Sequence, residues 1–243
     1  MIKKDSLRIF QYSFKLMVSH ELIDTDYYNL LKSKWPDFKL FQTISGGQVF
    51  RKNIEIKNKN SNYSKIDVLY QNLYDELNSK NFRNFLKSKF DLENNKEFIG
   101  DFDSSDLVMH IAESTDGYEN PWHVDTRGRI IHFLIYFGDD TIEEGGELGI
   151  AKHKELDNYV DYKQYPDTND LSEIKYFKPD NNLGIFILSE NNSYHKGCAV
   201  KGLRRFIYAG FTNKNGNAWK TKNWKSKNNF SNELKNQKKN IEV

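Results

Sequence analysis

Residues 122–151 read WHVDTRGRIIHFLIYFGDDTIEEGGELGIA, and this stretch decides the fold. From Ile130 to Phe137 the chain is almost continuously apolar, rich in β-branched and aromatic side chains, and bounded by Thr-Arg-Gly and Gly-Asp-Asp. Such a run is too short for an ordinary helix and has the composition of a buried strand. ELGIA (147–151) repeats the texture behind a Glu-Glu-Gly-Gly turn. Working outward, LVMHIA (107–112), LGIFIL (183–188) and RFIYAGF (205–211) do the same, separated by Gly, Asp, Asn and Pro. The region from about 97 to 212 is therefore mainly β, a barrel or sandwich with one buried interior.

Upstream the apolar period changes. Leu7, Phe10, Phe14 and Leu16, then Leu22, Tyr27, Leu30 and Leu31, follow helical spacing over residues 6–35, with Ser19 and Asp24 or Thr25 as caps and Pro36 as a stop. Val68, Leu69, Leu73, Leu77, Phe82, Phe85 and Leu86 repeat it over 65–90. The reading is a helical N-terminal part of about 1–95 packed on the sheet. Residues 152–176 are long for a link between strands and are read as a lid-like insertion. Residues 213–243 hold eight Lys against two Glu, with Trp219 and Trp224 near their start, and read as a solvated basic tail. A single domain over 1–212 plus that tail is the expected organisation.

Composition agrees. Only 37% of residues are hydrophobic, but 17 Phe, 14 Tyr and 4 Trp bury much area apiece, so a core is attainable. The net charge of +2 shows no basic excess of the kind a dedicated nucleic-acid binder carries. Cys198 is the single cysteine, excluding an internal disulfide, and it reads as a small barrel residue in a reducing, cytoplasmic protein. The N-terminus lacks the pattern of a signal peptide and no run reaches membrane-spanning length, so a soluble protein is expected.

The chemistry lies in His123-Val124-Asp125. At positions i and i+2 of an extended chain, an imidazole and a carboxylate project to one face, about 6–7 Å apart at their Cα atoms, where one metal bridges them. His195, beside another apolar strand, supplies a third donor that the fold must bring across the barrel. Two imidazoles and one carboxylate leave open metal positions, which suits iron(II) oxygenases. Isolated His-x-Asp matches arise by chance, so the surrounding pattern carries the weight.

That pattern is an ordered set: the His-x-Asp pair, a strand ending in Tyr136, the turn Gly145-Gly146-Glu147-Leu148, a Pro179-containing turn before the strand to Leu188, then His195. Over roughly residues 105–212 the chain resembles the prolyl 4-hydroxylase-like branch of the 2-oxoglutarate/iron(II) dioxygenases; the N-terminal part resembles it only loosely. The resemblance implies a double-stranded β-helix, a jelly-roll or cupin-like core. It also implies Fe(2+) on His123, Asp125 and His195, with 2-oxoglutarate and O2 as cosubstrates.

The family sets a basic residue about ten positions after the distal His to hold the far carboxylate of 2-oxoglutarate. Arg205 stands there, with Arg204 adjacent. On a strand only one of them faces inward. Arg205 shares its side with Ile207, Ala209 and Phe211, the more apolar set, and is expected to be the anchor through its planar fork of donors. Tyr136 matches the family's phenol to the same carboxylate. Leu148 matches an apolar wall, and Leu134 faces the same way as Tyr136. His132 also shares that side, as a contact to cosubstrate or substrate or as a hydrogen-bonded core histidine. His110 reads as structural.

The implied reaction is hydroxylation of a C–H bond, with succinate and CO2 as coproducts. Because Asp125 is present, the halide-binding variation of related halogenases is not expected. The candidate substrates are small metabolites or amino acids, a peptidyl proline, or a sugar of a surface polysaccharide. A non-oxygenase cupin-like barrel that binds metal or sugar is the rival from another class, and a nucleic-acid demethylase using the basic tail is a third reading.

Overall fold

The computed structural model describes residues 1–43, 50–138, 141–155 and 164–220. Fourteen strands and three α-helices lie along them, with all three helices before the fifth strand. In chain order they are β1 (Arg8–Gln11), β2 (Lys15–Ser19), α1 (Thr25–Ser33), β3 (Gln42–Thr43), β4 (Arg51–Lys57), α2 (Val68–Asn78), α3 (Lys80–Phe90) and β5 (Asp106–Ser114). Then follow β6 (Asn120–His123), β7 (Arg129–Phe137), β8 (Ile142–Gly145), β9 (Leu148–His153), β10 (Leu171–Phe177), β11 (Asn181–Leu188), β12 (Tyr194–Gly197), β13 (Val200–Gly202) and β14 (Arg204–Thr212).

Eight strands form a major sheet in the order β1-β2-β11-β7-β14-β5-β4-β3, all pairs antiparallel. Four form a minor sheet, β10-β9-β12-β6, and β13 pairs with β8. The crossing between sheets after nearly every core strand is the jelly-roll arrangement expected from the sequence.

The two faces of the major sheet sort by the period of two. Met109, Ile111, Phe133, Ile135, Phe137, Ile207, Ala209 and Phe211 belong to the larger core, shared with Leu73, Leu77, Phe82 and Leu86 of the helices. Leu16, Val18, Ala112, Leu134, Tyr136, Leu148, Ile185 and Phe206 form a second cluster on the barrel interior. Every strand predicted from residue 97 onward is present within one or two residues at each end.

The N-terminal part departs from the helical reading in two places. Residues 8–19 form the hairpin β1–β2, and β2 pairs with β11 at the sheet edge. Leu16 and Val18 face the barrel interior while Met17 faces the helices, a period of two that spacing alone had merged with the helix behind it. Helix α1 follows as expected, with Asp24 accepting from Tyr27 N. Residues 42–57 add β3 and β4, where Ile54 and Ile56 alternate with polar residues. The predicted helix over 65–90 is two helices, broken at Ser79, whose hydroxyl caps α3 by accepting from Phe82 N.

Two further expectations change. Part of the predicted insertion 152–176 is sheet: β9 runs to His153 and β10 pairs back on it; residues 156–163 lie outside the described residues. The start of the tail is docked, not solvated, since Ala218 and Trp219 are buried and Trp219 packs on Phe98 at 5.5 Å and donates Nε1 to Arg129 O. Trp224 and the residues from 221 on lie outside the described residues. Among the described residues, no helix is long and apolar enough to cross a membrane.

Candidate metal centre and active site

His123 closes β6 and His195 lies on β12, and the two are direct cross-strand partners in the minor sheet. His195 therefore reaches His123 from the next strand, not from across the barrel. Asp125 follows two residues after His123. One donor atom from each of the three lies within 4.8 Å of the others, in a cluster that can hold one metal ion. His123 Nδ1 is 2.8 Å from Pro121 O and His195 Nδ1 is 2.9 Å from Ser193 O. Both bonds require the proton on Nδ1, which leaves each Nε2 lone pair for a metal.

Electrostatics favour the same state. Burial lowers the pKa of His123 and holds that of His195 well below the usual histidine range, so both are neutral at pH 7. Burial alone would raise the Asp125 carboxyl, but His132, His195 and Arg129 outweigh it and hold it well below the usual range. Two neutral imidazoles and an ionised carboxylate, with their second ring nitrogens already engaged, fit a divalent transition metal.

His132 resolves as a support for this cluster. Its Nδ1 lies 2.7 Å from Asp125 Oδ2 and 2.9 Å from Ser189 Oγ, in a fully buried position. It orients the carboxylate. His110, expected to be structural, bonds Asn53 through Nδ1 at 2.7 Å. Cys198 is half-buried, and burial raises its thiol pKa, which does not suit a nucleophile.

A cavity of about 250 Å³ opens beside the cluster, lined among others by Leu134, Tyr136, Leu148, Arg204, Phe206 and Tyr208. The expected Leu134, Tyr136 and Leu148 are there. Arg205 is not: it points to the helix side, with Nε 3.3 Å from Glu113 and its guanidinium 5.6 Å from the Trp35 ring. Side chains alternate along β14 as expected, but the face turned to the cavity is the one that carries Arg204. The wholly apolar set Ile207, Ala209 and Phe211 lies under the helices, where nothing polar is needed, while the cavity side keeps Phe206 and Tyr208.

Arg204 is the arginine that enters the cavity. It is 2% exposed, donates Nη1 to Gly146 O at 2.6 Å and Nε to Ser114 Oγ at 3.1 Å, and has no acidic partner among the described residues. The Gly-Gly turn makes this possible. Gly145 and Gly146 have φ of +75° and +78°, and a Cβ on Gly145 would lie 2.1 Å from Ala199 O. Only glycine lets the turn close there and present Gly146 O to Arg204. Tyr136 Oη is buried with no hydrogen-bond partner among the described residues, and burial pushes the phenol up to about 12, keeping it a neutral O–H donor.

The same cavity is also lined by Arg51, Tyr118, Asn120, Thr126, Gln164 and Tyr165, for none of which the sequence alone indicated a role. Tyr165 stacks on His123 with ring centroids 6.1 Å apart, and Gln164 O accepts from Val124 N. For Arg51 a signal existed, since the alternation Ile54, Ile56 marks a strand and its parity sets Arg51 opposite those two.

A jelly roll carrying a buried two-histidine, one-carboxylate cluster beside a cavity that an arginine enters is an arrangement that suits a mononuclear iron(II) oxygenase. Residues 109–213 match the family described as the 2OG-Fe(II) oxygenase superfamily, and the match spans β5 to β14 with all three cluster residues. That segment is similar to the 2OG-Fe(II) oxygenase superfamily, and the match, with the His-Asp-His cluster, supports an iron(II)- and 2-oxoglutarate-dependent dioxygenase. The match favours an oxygenase over the non-oxygenase barrel.

Solved structures agree at the level of fold. A Pseudomonas putida prolyl-4-hydroxylase is 13% identical, with a TM-score of 0.52, covering 82% of this chain and 92% of that one. A prolyl 4-hydroxylase of Phytophthora capsici is 11% identical at a TM-score of 0.52, covering 93% and 68%. A Trichoplax adhaerens prolyl hydroxylase, in complex with a hypoxia inducible factor peptide fragment, is 13% identical at 0.51, covering 82% and 84%. No curated protein is similar in sequence at a significant level.

Proposed function

We propose that this chain hydroxylates a C–H bond of its substrate, with iron(II) held by His123, Asp125 and His195 and the far carboxylate of 2-oxoglutarate held by Arg204. One observation carries the reading. A 2% exposed guanidinium with no acidic partner among the described residues shares a cavity with a buried, unpartnered phenol and the metal cluster. A buried charge of this kind is strongly unfavourable unless an anion meets it.

Each residue then has a task. Arg204 is oriented before the cosubstrate arrives by Gly146 O and Ser114 Oγ. Tyr136 donates its O–H to the same carboxylate, and Leu134 and Leu148 wall the methylene carbons and exclude water. His132 holds Asp125 in its ligating orientation. When bound, iron(II) supplies activation of O2 coupled to decarboxylation of 2-oxoglutarate, giving succinate and CO2. The carboxylate of Asp125 occupies the place that a halide would need, which favours hydroxylation.

The substrate is a small metabolite or amino acid, or a peptidyl proline, and the modest cavity supports the smaller class. A single cysteine and a centre that must stay ferrous suit a reducing, cytoplasmic setting. The test is anaerobic titration with iron(II) and 2-oxoglutarate, then oxygen-dependent succinate formation, with His123→Ala and His195→Ala as controls. Iron binding lost in both variants is the expected result; a wild-type protein that binds neither iron nor 2-oxoglutarate refutes the proposal.

A further inference from the structure

Assigning Arg204 to 2-oxoglutarate leaves a second arginine in the same cavity. Arg51 on β4 and Arg204 on β14 are both in register with Ser114 of the strand between them. Both guanidinium groups rest on the Phe206 ring, at 5.2 and 4.8 Å, and Arg51 also lies 5.5 Å from the Tyr208 ring. Arg51 donates Nη1 to Tyr118 Oη over a long 3.4 Å, its Nε is buried without an acceptor, and no acidic side chain pairs with it among the described residues.

Two like charges on one aromatic ring repel, and a low-dielectric wall strengthens the repulsion. The charges in the cavity sharpen the point. Asp125 lies 3.9 Å from Arg129, and the far carboxylate of 2-oxoglutarate is assigned to Arg204, so neither anion meets Arg51. Arg129, 5.6 Å from the Tyr208 ring, is a further cation beside the same residues. 2-Oxoglutarate has one carboxylate remote from its metal-binding end, and that one is already taken. Arg51 needs a second anion.

We infer that the substrate is a small molecule bearing a carboxylate, which Arg51 binds at the mouth of the cavity and so sets which C–H bond faces the metal. A guanidinium suits this group because it offers paired donors to its two oxygens. Contacts with the Phe206 and Tyr208 rings hold the Arg51 guanidinium beside the cavity. An internal residue of a peptide has no such group on its backbone, so the inference selects the small acid, a free amino acid included, over the peptidyl substrate. It rests on the 2-oxoglutarate reading, and the experiment separates the two.

The protein loaded with iron(II) and 2-oxoglutarate is given the small-molecule ultrafiltrate of a cell extract, untreated or with its carboxylates methyl-esterified, and stimulated succinate formation is measured. Binding of 2-oxoglutarate is measured separately by anaerobic calorimetry. The untreated ultrafiltrate should stimulate wild type and the esterified one should not. Arg51→Ala should need about tenfold more ultrafiltrate or greater, with 2-oxoglutarate affinity within about twofold of wild type, and Arg51→Lys should fall between. Equal stimulation by the esterified fraction, stimulation only by the macromolecular retentate, or none by any fraction overturns the inference. So does Arg51→Ala that responds like wild type, or that loses 2-oxoglutarate affinity as strongly as Arg204→Ala does. Failure of wild type to bind 2-oxoglutarate at all refutes the cosubstrate reading instead.

Discussion

Arg204 and Arg205 are adjacent, identical in chemistry and opposite in surroundings, so exchanging each for alanine isolates what the cavity does. Arg204 has two protein acceptors and a remaining Nη2 that no described residue uses. A charge-assisted hydrogen bond to a carboxylate contributes about 1.5–3 kcal/mol. At about 1.4 kcal/mol per factor of ten, Arg204→Ala should weaken 2-oxoglutarate binding by roughly 10–150-fold. Arg204→Lys keeps the charge but loses the fork held by Ser114 and Gly146, and should recover only part.

Arg205→Ala removes a pair with Glu113 whose side chains are 30% and 18% exposed. Partly exposed pairs are screened, so the cost is about 0.2–1 kcal/mol of stability, with no change in 2-oxoglutarate affinity. Glu113 keeps its bond from Trp35 Nε1, which limits the loss further. Calorimetric titration under nitrogen and denaturant midpoints on the three variants measure both quantities. If Arg205→Ala lost tenfold in affinity while Arg204→Ala stayed near wild type, the facing of β14 described above would be wrong.

Exchanging His132 for Phe removes the contact that orients Asp125 and should weaken Mn(II) binding by about 10–100-fold, while His132→Gln, which retains a donor, restores part of it; calorimetry with Mn(II) reads both. A divalent metal at a hundred times its dissociation constant should raise stability by about 2.7 kcal/mol, seen as an upward shift in Tm of the metal-free protein and absent in His195→Ala. Gly145→Ala should destabilise by about 1–3 kcal/mol, because the left-handed turn and the Ala199 carbonyl both oppose a side chain, and a denaturant midpoint close to wild type would contradict the turn. Burial, with Arg51 and Arg129, holds His110 down to about 3, against 6.5 as its ordinary value. Below about pH 6.5 the unfolded chain takes up a proton that the folded one refuses, so stability falls with falling pH by up to ~1.4 kcal/mol per unit, and His110→Gln should flatten that slope in urea titrations of the metal-free protein.

The order of events along residues 105–212 was legible because each carries a local cause. A continuous apolar run such as Ile130 to Phe137 must be a buried strand, a Gly-Gly pair marks a turn that needs positive φ, and His123 with Asp125 at i and i+2 reaches one metal whatever the rest of the chain does. The resemblance then supplied the cosubstrate, since no spacing names 2-oxoglutarate. The period of two over Leu16, Met17 and Val18 was also present in the chain, but the neighbouring helical residues masked it.

Tertiary structure alone decided three things. Which face of β14 meets the cavity depends on where the helices pack, and parity cannot say which of two faces is covered; hence Arg204 and not Arg205. His132 became a support for Asp125 because β7 passes behind the metal cluster, a distance no local pattern encodes. Arg51 joined the site from outside the recognisable segment because β4 pairs with β5, and pairing between strands more than fifty residues apart is chosen by the whole packed sheet. His123 and Asp125 share a face by local spacing alone; His195 and what surrounds the three came to them only when the chain closed on itself.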